Sequence, residues 1–193
     1  MRVFVLIILA VVTTTTSYAS KAATLNISSE GRLLGATDVT IGGTLYDVVL
    51  VDGSCISIFG GCDEVSDFLF TSESELILAS EALLEFVTID SPLGNFDSDA
   101  ALTNGCGDSA FCILLTPGIQ IAEPGKIVVG VALNNGGTNF DNVGTTEAII
   151  ADISGTHTVW AVWSPAVPVP LPAGIWLFIT ALVPVPGKQT RSI

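Results

Sequence analysis

The chain is poor in the residues that most often carry chemistry. Among 193 residues there is one histidine, His157, with four cysteines and six lysines and arginines in total. A Ser–His–Asp site needs its base beside a nucleophile, and no Gly-x-Ser-x-Gly elbow is present. There is no Walker loop, no dinucleotide glycine fingerprint and no zincin motif. His157 stands between Thr156 and Thr158 at the start of an expected strand, and reads as a surface or strand-edge residue. Positive charge is nearly missing between residues 23 and 164, where Arg32 and Lys126 face all nineteen acidic residues. Such a body repels phosphate backbones, which excludes nucleic acid as an expected partner. Its charge reads as solubility outside the cell, with divalent-cation binding as the sharper alternative.

What is present begins with an N-terminal address. Met1-Arg2 leads into Val3–Val12, an unbroken apolar run, and Ala19-Ser20-Lys21-Ala22-Ala23 follows with small residues. One basic residue, a short apolar core and a small-x-small exit match a secretory signal peptide over residues 1–22. The run is short for a permanent anchor. Cleavage after Ala19 or after Ala22 fits equally.

Residues 23–164 are expected to form one secreted, β-rich domain; the chain is long enough for one real core. Thr24–Ile27 alternates as a first strand, Arg32–Ala36 and Val39–Ile41 are short candidates, and Gly42-Gly43 marks a turn. In Thr44–Val51, Tyr46, Val48 and Leu50 are expected to face the core, because Asp47 sits awkwardly on the other face. Cys55–Phe59 reads as a partner strand. Ser72-Glu73-Ser74-Glu75 opens the one convincing helix, about 72–88, with Ser72 as cap and Glu75 completing a capping box. Leu76, Ile77, Leu83, Leu84 and Val87 form its core stripe, and Pro92 and Gly94 are expected to end it. The period then changes to two over Phe111–Leu115, Lys126–Leu133, Thr145–Ile153 and Thr156–Trp163. The expectation is a mainly β, β-sandwich-like domain with one packed α-helix.

The cysteines fall in two close pairs, Cys55 with Cys62 and Cys106 with Cys112. An even count in an exported chain implies disulfides. Three connectivities exist, and local pairing is favoured because each pair brackets a glycine-containing loop. Zinc would ask for shorter spacing and a reducing compartment. No cofactor is expected, with calcium as the one alternative: Asn95, Asp97 and Asp99 offer oxygens at alternate positions, as a calcium loop does. The pattern departs from an EF-hand at Ala100, where glycine belongs, and at Cys106, where the bidentate acid belongs. A carboxylate pair can hydrolyse a glycosidic bond, yet nothing in the sequence places two together.

The C-terminal residues 165–193 carry the last signal. Prolines at 165, 168, 170 and 172 stiffen a spacer, Ala173–Val183 is apolar, and Lys188 and Arg191 lie beyond it. The stretch Val169-Pro170-Leu171-Pro172-Ala173, followed by Gly174-Ile175-Trp176-Leu177-Phe178, resembles the sorting tail of PEP-CTERM exported proteins of Gram-negative bacteria. In the body, Gly43-Thr44-Leu45-Tyr46-Asp47-Val48 and Val51-Asp52-Gly53-Ser54-Cys55 are similar to uncharacterised members of that group. The resemblance implies export, transient inner-membrane anchoring and recognition by an exosortase, a membrane protease-transpeptidase. Delivery to the cell surface or an exopolysaccharide matrix would follow; separately, the lack of a catalytic constellation gives the expectation of a body without catalytic activity. The chain departs from the family where Pro184 and Pro186 interrupt the apolar segment, about half of the ~20 residues a span needs. The alternative reading is a calcium-dependent carbohydrate- or matrix-binding module; a secreted hydrolase stands behind both.

Overall fold

The computed structural model describes residues 22–107, 110–120, 125–137, 140–149 and 155–167. Residues 1–21, all but the last residue of the expected signal peptide (1–22), and the motif Val169–Ala173 lie outside the described residues.

Strands β1 (Thr24–Ile27), β2 (Leu33–Ile41) and β3 (Thr44–Val51) form an antiparallel meander. Gly42 and Gly43 supply the two positive φ angles, 55° and 85°, of the β2–β3 turn. The two short candidates in residues 32–41 are one strand with an irregularity between Ala36 and Val39. Asp38 takes a left-handed φ of 61° there, and its N–H donates to Asp47 Oδ1 at 3.0 Å. That bond explains a carboxylate in mid-strand. Tyr46, Val48 and Leu50 do point into the core, while Val49 on the other face is 52% exposed.

Cys55–Phe59 is not a strand. Cys55–Ile58 forms a short helix, α1, capped by Ser54, whose side chain accepts the Ser57 N–H. A loop that must close a disulfide seven residues later favours a compact turn over extended chain. The expected long helix is present as α2 (Glu73–Ala82), which continues into a π-helical turn over Leu83–Val87. Ser72 accepts the Glu75 N–H at 3.3 Å, and the Glu75 carboxylate accepts the N–H groups of Thr71 and Ser72, both at 3.0 Å. Thr88 ends the helix instead of Pro92: its N–H and hydroxyl both donate to Leu83 O. Pro92 and Gly94 belong to the following small hairpin, β4 (Asp90–Ser91) with β5 (Gly94–Asn95).

The remaining strands are β6 (Cys112–Gln120), β7 (Lys126–Asn134), β8 (Asn142–Ile149) and β9 (Thr158–Pro165). Seven strands make one sheet in the order β1-β2-β3-β9-β6-β7-β8, mainly antiparallel. The exception is the parallel pair β6–β9. Helix α2 packs on β6, β7 and β8 and also on β2, so the sheet curls around it. The mainly β class with one packed helix is as expected, with the long strands joined in one sheet and the helix packed on it. Close approach depends on two glycines. A Cβ at Gly130 would lie 2.7 Å from Leu76 O, and one at Gly118 would lie 2.6 Å from the Leu76 side chain.

Both faces of the sheet are covered. The concave core joins Leu33, Val48, Leu50, Leu114, Val159 and Ala161 to Leu76, Leu83 and Val87 of the helix. The convex core places Leu115, Ile127, Val129 and Trp160 under the loop that carries Cys55, Cys62 and Phe68. Strand β9 serves both, with Val159, Ala161 and Trp163 inside and Trp160 outside, as its alternation predicts.

Candidate functional site

The feature best suited to receive a ligand lies where the parallel strands part. Strands β6 and β9 are in register only from Ile113–Leu115 against Thr158–Trp160. Beyond that, β6 stays with β7 through an irregularity between Pro117 and Gln120, while β9 stays with β3 as far as Pro165. Two strands that follow different neighbours must diverge. A crevice of about 370 Å³ opens at their carboxyl ends, a volume in the range of small-ligand clefts.

Its walls come from three parts of the chain. Pro117 stands on one strand, Ala161, Val162 and Trp163 on the other, and Ile58, Phe59 and Ser66–Phe70 close the outer side. The last segment changes face at this point: Phe68 belongs to the convex core and Phe70 to the concave one. Two aromatic trios result, one on each side of β9. Tyr46, Phe70 and Trp163 meet edge to face at centroid separations of 5.5–6.5 Å. Phe59 meets Phe68 at 6.3 Å and Trp160 at 5.8 Å. Trp163 also spans the divide, donating from Nε1 to Thr116 Oγ1 at 3.1 Å. The polar groups at the rim are Ser66 and Asp67, and Asp67 already accepts the N–H groups of Asp63 and Glu64 at 3.2 and 3.1 Å. The lining is therefore mixed, with aliphatic and aromatic side chains beside polar atoms and Asp67 as its one charged residue.

The expected disulfides are formed with local pairing: Cys55–Cys62 and Cys106–Cys112, at Cα separations of 5.7 and 5.5 Å. All four cysteines are fully buried. The first clamps the loop over the convex face, and Trp160 Nε1 donates to Gly53 O at 3.0 Å beside it. The second joins residue 106 to the start of β6.

The three oxygen-bearing positions of the calcium candidate do different things. Asn95 lies in β5, with Phe96 beside it fully buried. Asp99 caps a single 3-10 turn, its Oδ1 accepting the Ala101 N–H at 3.2 Å. Asp97 instead faces carboxylates distant in sequence. Burial, then repulsion from Asp141 and Asp90, raises its pKa above the ordinary carboxylate value. Asp90 behaves oppositely. The Ser98 hydroxyl, then the Ser98 and Asp97 N–H groups, hold its carboxyl below the usual range. Across from them, Asp141 Oδ1 accepts the Asn135 N–H at 2.9 Å, and Asn134 Nδ2 donates to Phe96 O at 2.7 Å. Among the described residues no group of three or more His, Cys, Asp or Glu is arranged to hold a metal ion. His157 is exposed and lies against Phe111, ring centroids 5.1 Å apart. No described helix is long and apolar enough to cross a membrane.

Sequence reasoning did not find the crevice, because its walls come from residues near 58, 66–70, 117 and 161–163. The usable signal was weak: Phe68 and Phe70 flank an exposed Leu69 at strand spacing, as Trp160 and Trp163 bracket two small residues. Comparison of the chain with protein-family models, curated proteins and solved structures finds no match in any of the three.

Proposed function

We propose that this chain is an exported protein held briefly in the inner membrane, processed by an exosortase-type enzyme, and released to the cell surface or an exopolysaccharide matrix. Its two-layer, sandwich-like body is non-catalytic cargo in this reading. The observation that carries it is the pairing of a signal-peptide pattern in residues 1–22 with Val169-Pro170-Leu171-Pro172-Ala173 near the other end. Two buried disulfides support it, because such bonds persist in oxidising compartments. Mass spectrometry of the protein from its native host tests it. The expected result is loss of the residues up to Ala19 or Ala22, a new end near residues 169–173, and four oxidised cysteines. Full-length protein in the cytosol with reduced thiols would overturn it.

A second reading, a calcium-dependent carbohydrate- or matrix-binding module, is favoured by the repulsion that Asp141 and Asp90 exert on Asp97, which a bound cation would relieve. Calorimetric titration with Ca²⁺ decides it. No heat and no chelator-sensitive melting shift would remove it.

A further inference from the structure

Two carboxylates and one buried amide meet where the β4–β5 hairpin lies against the open end of the β7–β8 pair. The β7–β8 ladder runs as far as Leu133 opposite Asn142, and its next rung sets Asn134 opposite Asp141. Both then stand on the face that Ala132 and Val143 turn toward the concave core. Facing side chains on such a rung start from Cβ atoms about 4.5–5.5 Å apart. Asp97 arrives from the hairpin side, with its carboxyl in hydrogen-bonding reach of Asp141. The two segments are tied together beside that contact. Asn134 Nδ2 donates to Phe96 O at 2.7 Å, and the Asn135 N–H donates to Asp141 Oδ1 at 2.9 Å.

The amide is the group that points to a ligand. Asn134 is fully buried, and its Oδ1 has no hydrogen-bond partner among the described residues. Its orientation is fixed, because only the NH2 end can face the Phe96 carbonyl. The oxygen on the same carbon is held between its rung partner Asp141 and the segment that carries Asp97. A buried acceptor without a donor is costly, and two carboxylates within reach of each other repel. A proton shared by the carboxyls would relieve the repulsion and still leave the amide oxygen without a donor. A water would satisfy the amide and leave the repulsion. A cation among the three oxygens removes both penalties. Asp90 adds negative charge without serving as a ligand, since its oxygens accept the Asp97 and Ser98 N–H groups at 3.0 Å and the Ser98 hydroxyl.

The geometry points to a calcium site formed by Asp97, Asp141 and Asn134 Oδ1. Only two of these donors are carboxylates, so the site is not a cluster of three acids. Hard oxygen donors from flexible, exposed segments suit Ca²⁺, whereas Mg²⁺ asks for a tight octahedron. Three protein oxygens make a weak site, with a Kd of about 10⁻⁴–10⁻³ M, the range of extracellular calcium modules. Of the sequence pattern Asn95, Asp97 and Asp99, only Asp97 takes part; the other two ligands come from the β7–β8 end. The inference deepens the calcium-dependent reading given above and rests on it for the identity of the cation.

The test is a titration of the isotope-labelled full chain, in mild detergent, with Ca²⁺ alone, followed by nuclear magnetic resonance. The Asn134 side-chain amide and the backbone amides of Asp97 and Asn135 should shift together and saturate by about 10 mM. Asp97→Asn and Asp141→Asn keep the side-chain shape, and each should weaken the affinity at least about ten-fold. Asp99→Asn should change it less than about three-fold, because that carboxylate is already engaged by the Ala101 N–H. Saturable binding that survives both Asp97→Asn and Asp141→Asn, or that shifts other residues instead, would overturn this site and leave the calcium reading standing. No saturable shift anywhere would overturn the site and the calcium reading together. An Asn134 amide that responds to pH and not to Ca²⁺ would show a shared proton in place of the cation, and would also overturn the site.

Discussion

One sheet carries two covers of different construction. Over the concave face lies regular helix, held by capping and by aliphatic side chains that approach closely because Gly118 and Gly130 lack a Cβ. Over the convex face lies a loop with one short helical turn, held by a buried disulfide and three aromatic rings. A helix satisfies its own backbone and needs only an apolar stripe to stay in place. An irregular loop satisfies less of its backbone, so it needs large anchors and a covalent constraint. The crevice opens beside the second kind of cover, where the packing comes from a few rings and not from a continuous stripe.

The largest effect should come from removing the anchor of the convex cover. Trp160→Ala empties a site that is 1% exposed, and should cost about 3–5 kcal/mol in denaturant unfolding. A loss of less than about 1 kcal/mol would mean that the loop covers the face without its main ring. Next is the staple. Cys55→Ser with Cys62→Ser should cost about 2–3 kcal/mol by the loop-entropy argument. Exchange should rise in residues 54–68 and leave α2 unchanged, and loosening of α2 instead would erase the distinction between the covers. On the concave side, Ser72→Ala should cost about 1 kcal/mol, because the cap bonds lie at the exposed helix end.

The smallest effects are pH dependences of opposite sign. The Ser72 hydroxyl and the Thr71 N–H hold Glu75 below the ordinary carboxylate value. Its contribution is present above that ordinary value and lost as pH falls through the lowered one. Glu75→Gln should therefore destabilise at neutral pH and become neutral in acid. Asp97 is raised, so its contribution is present below the ordinary value and lost as pH rises through the raised one. Asp97→Asn should stabilise at neutral pH, with the gain vanishing in acid. Melting curves of both variants across the acid range check the two signs, and a shared sign would contradict the opposed environments of the two carboxyls.

Legibility followed the range of the interactions. The Ser72 capping box and the inward set Tyr46, Val48 and Leu50 were readable because each depends on neighbours within a few residues. The local cysteine pairing was readable for the same reason. Cys55–Phe59 reads as strand in the sequence, and the helix at Cys55–Ile58 was hidden, because the apolar run is too short for period to separate helix from strand. Thr88 as the helix end was hidden, since a buried side-chain bond to Leu83 O outranked the more visible Pro92.

By itself the sequence determined the β-rich class, the single long helix with its cap, the disulfide pairs and the polar–apolar faces of individual strands, because propensity, periodicity and loop closure act locally. Only the tertiary structure decided that seven of the nine described strands share one curled sheet, that β6 and β9 run parallel and then separate, and that Asp97 confronts Asp141. Those outcomes join residues tens of positions apart, and strand order is chosen by how whole faces bury one another.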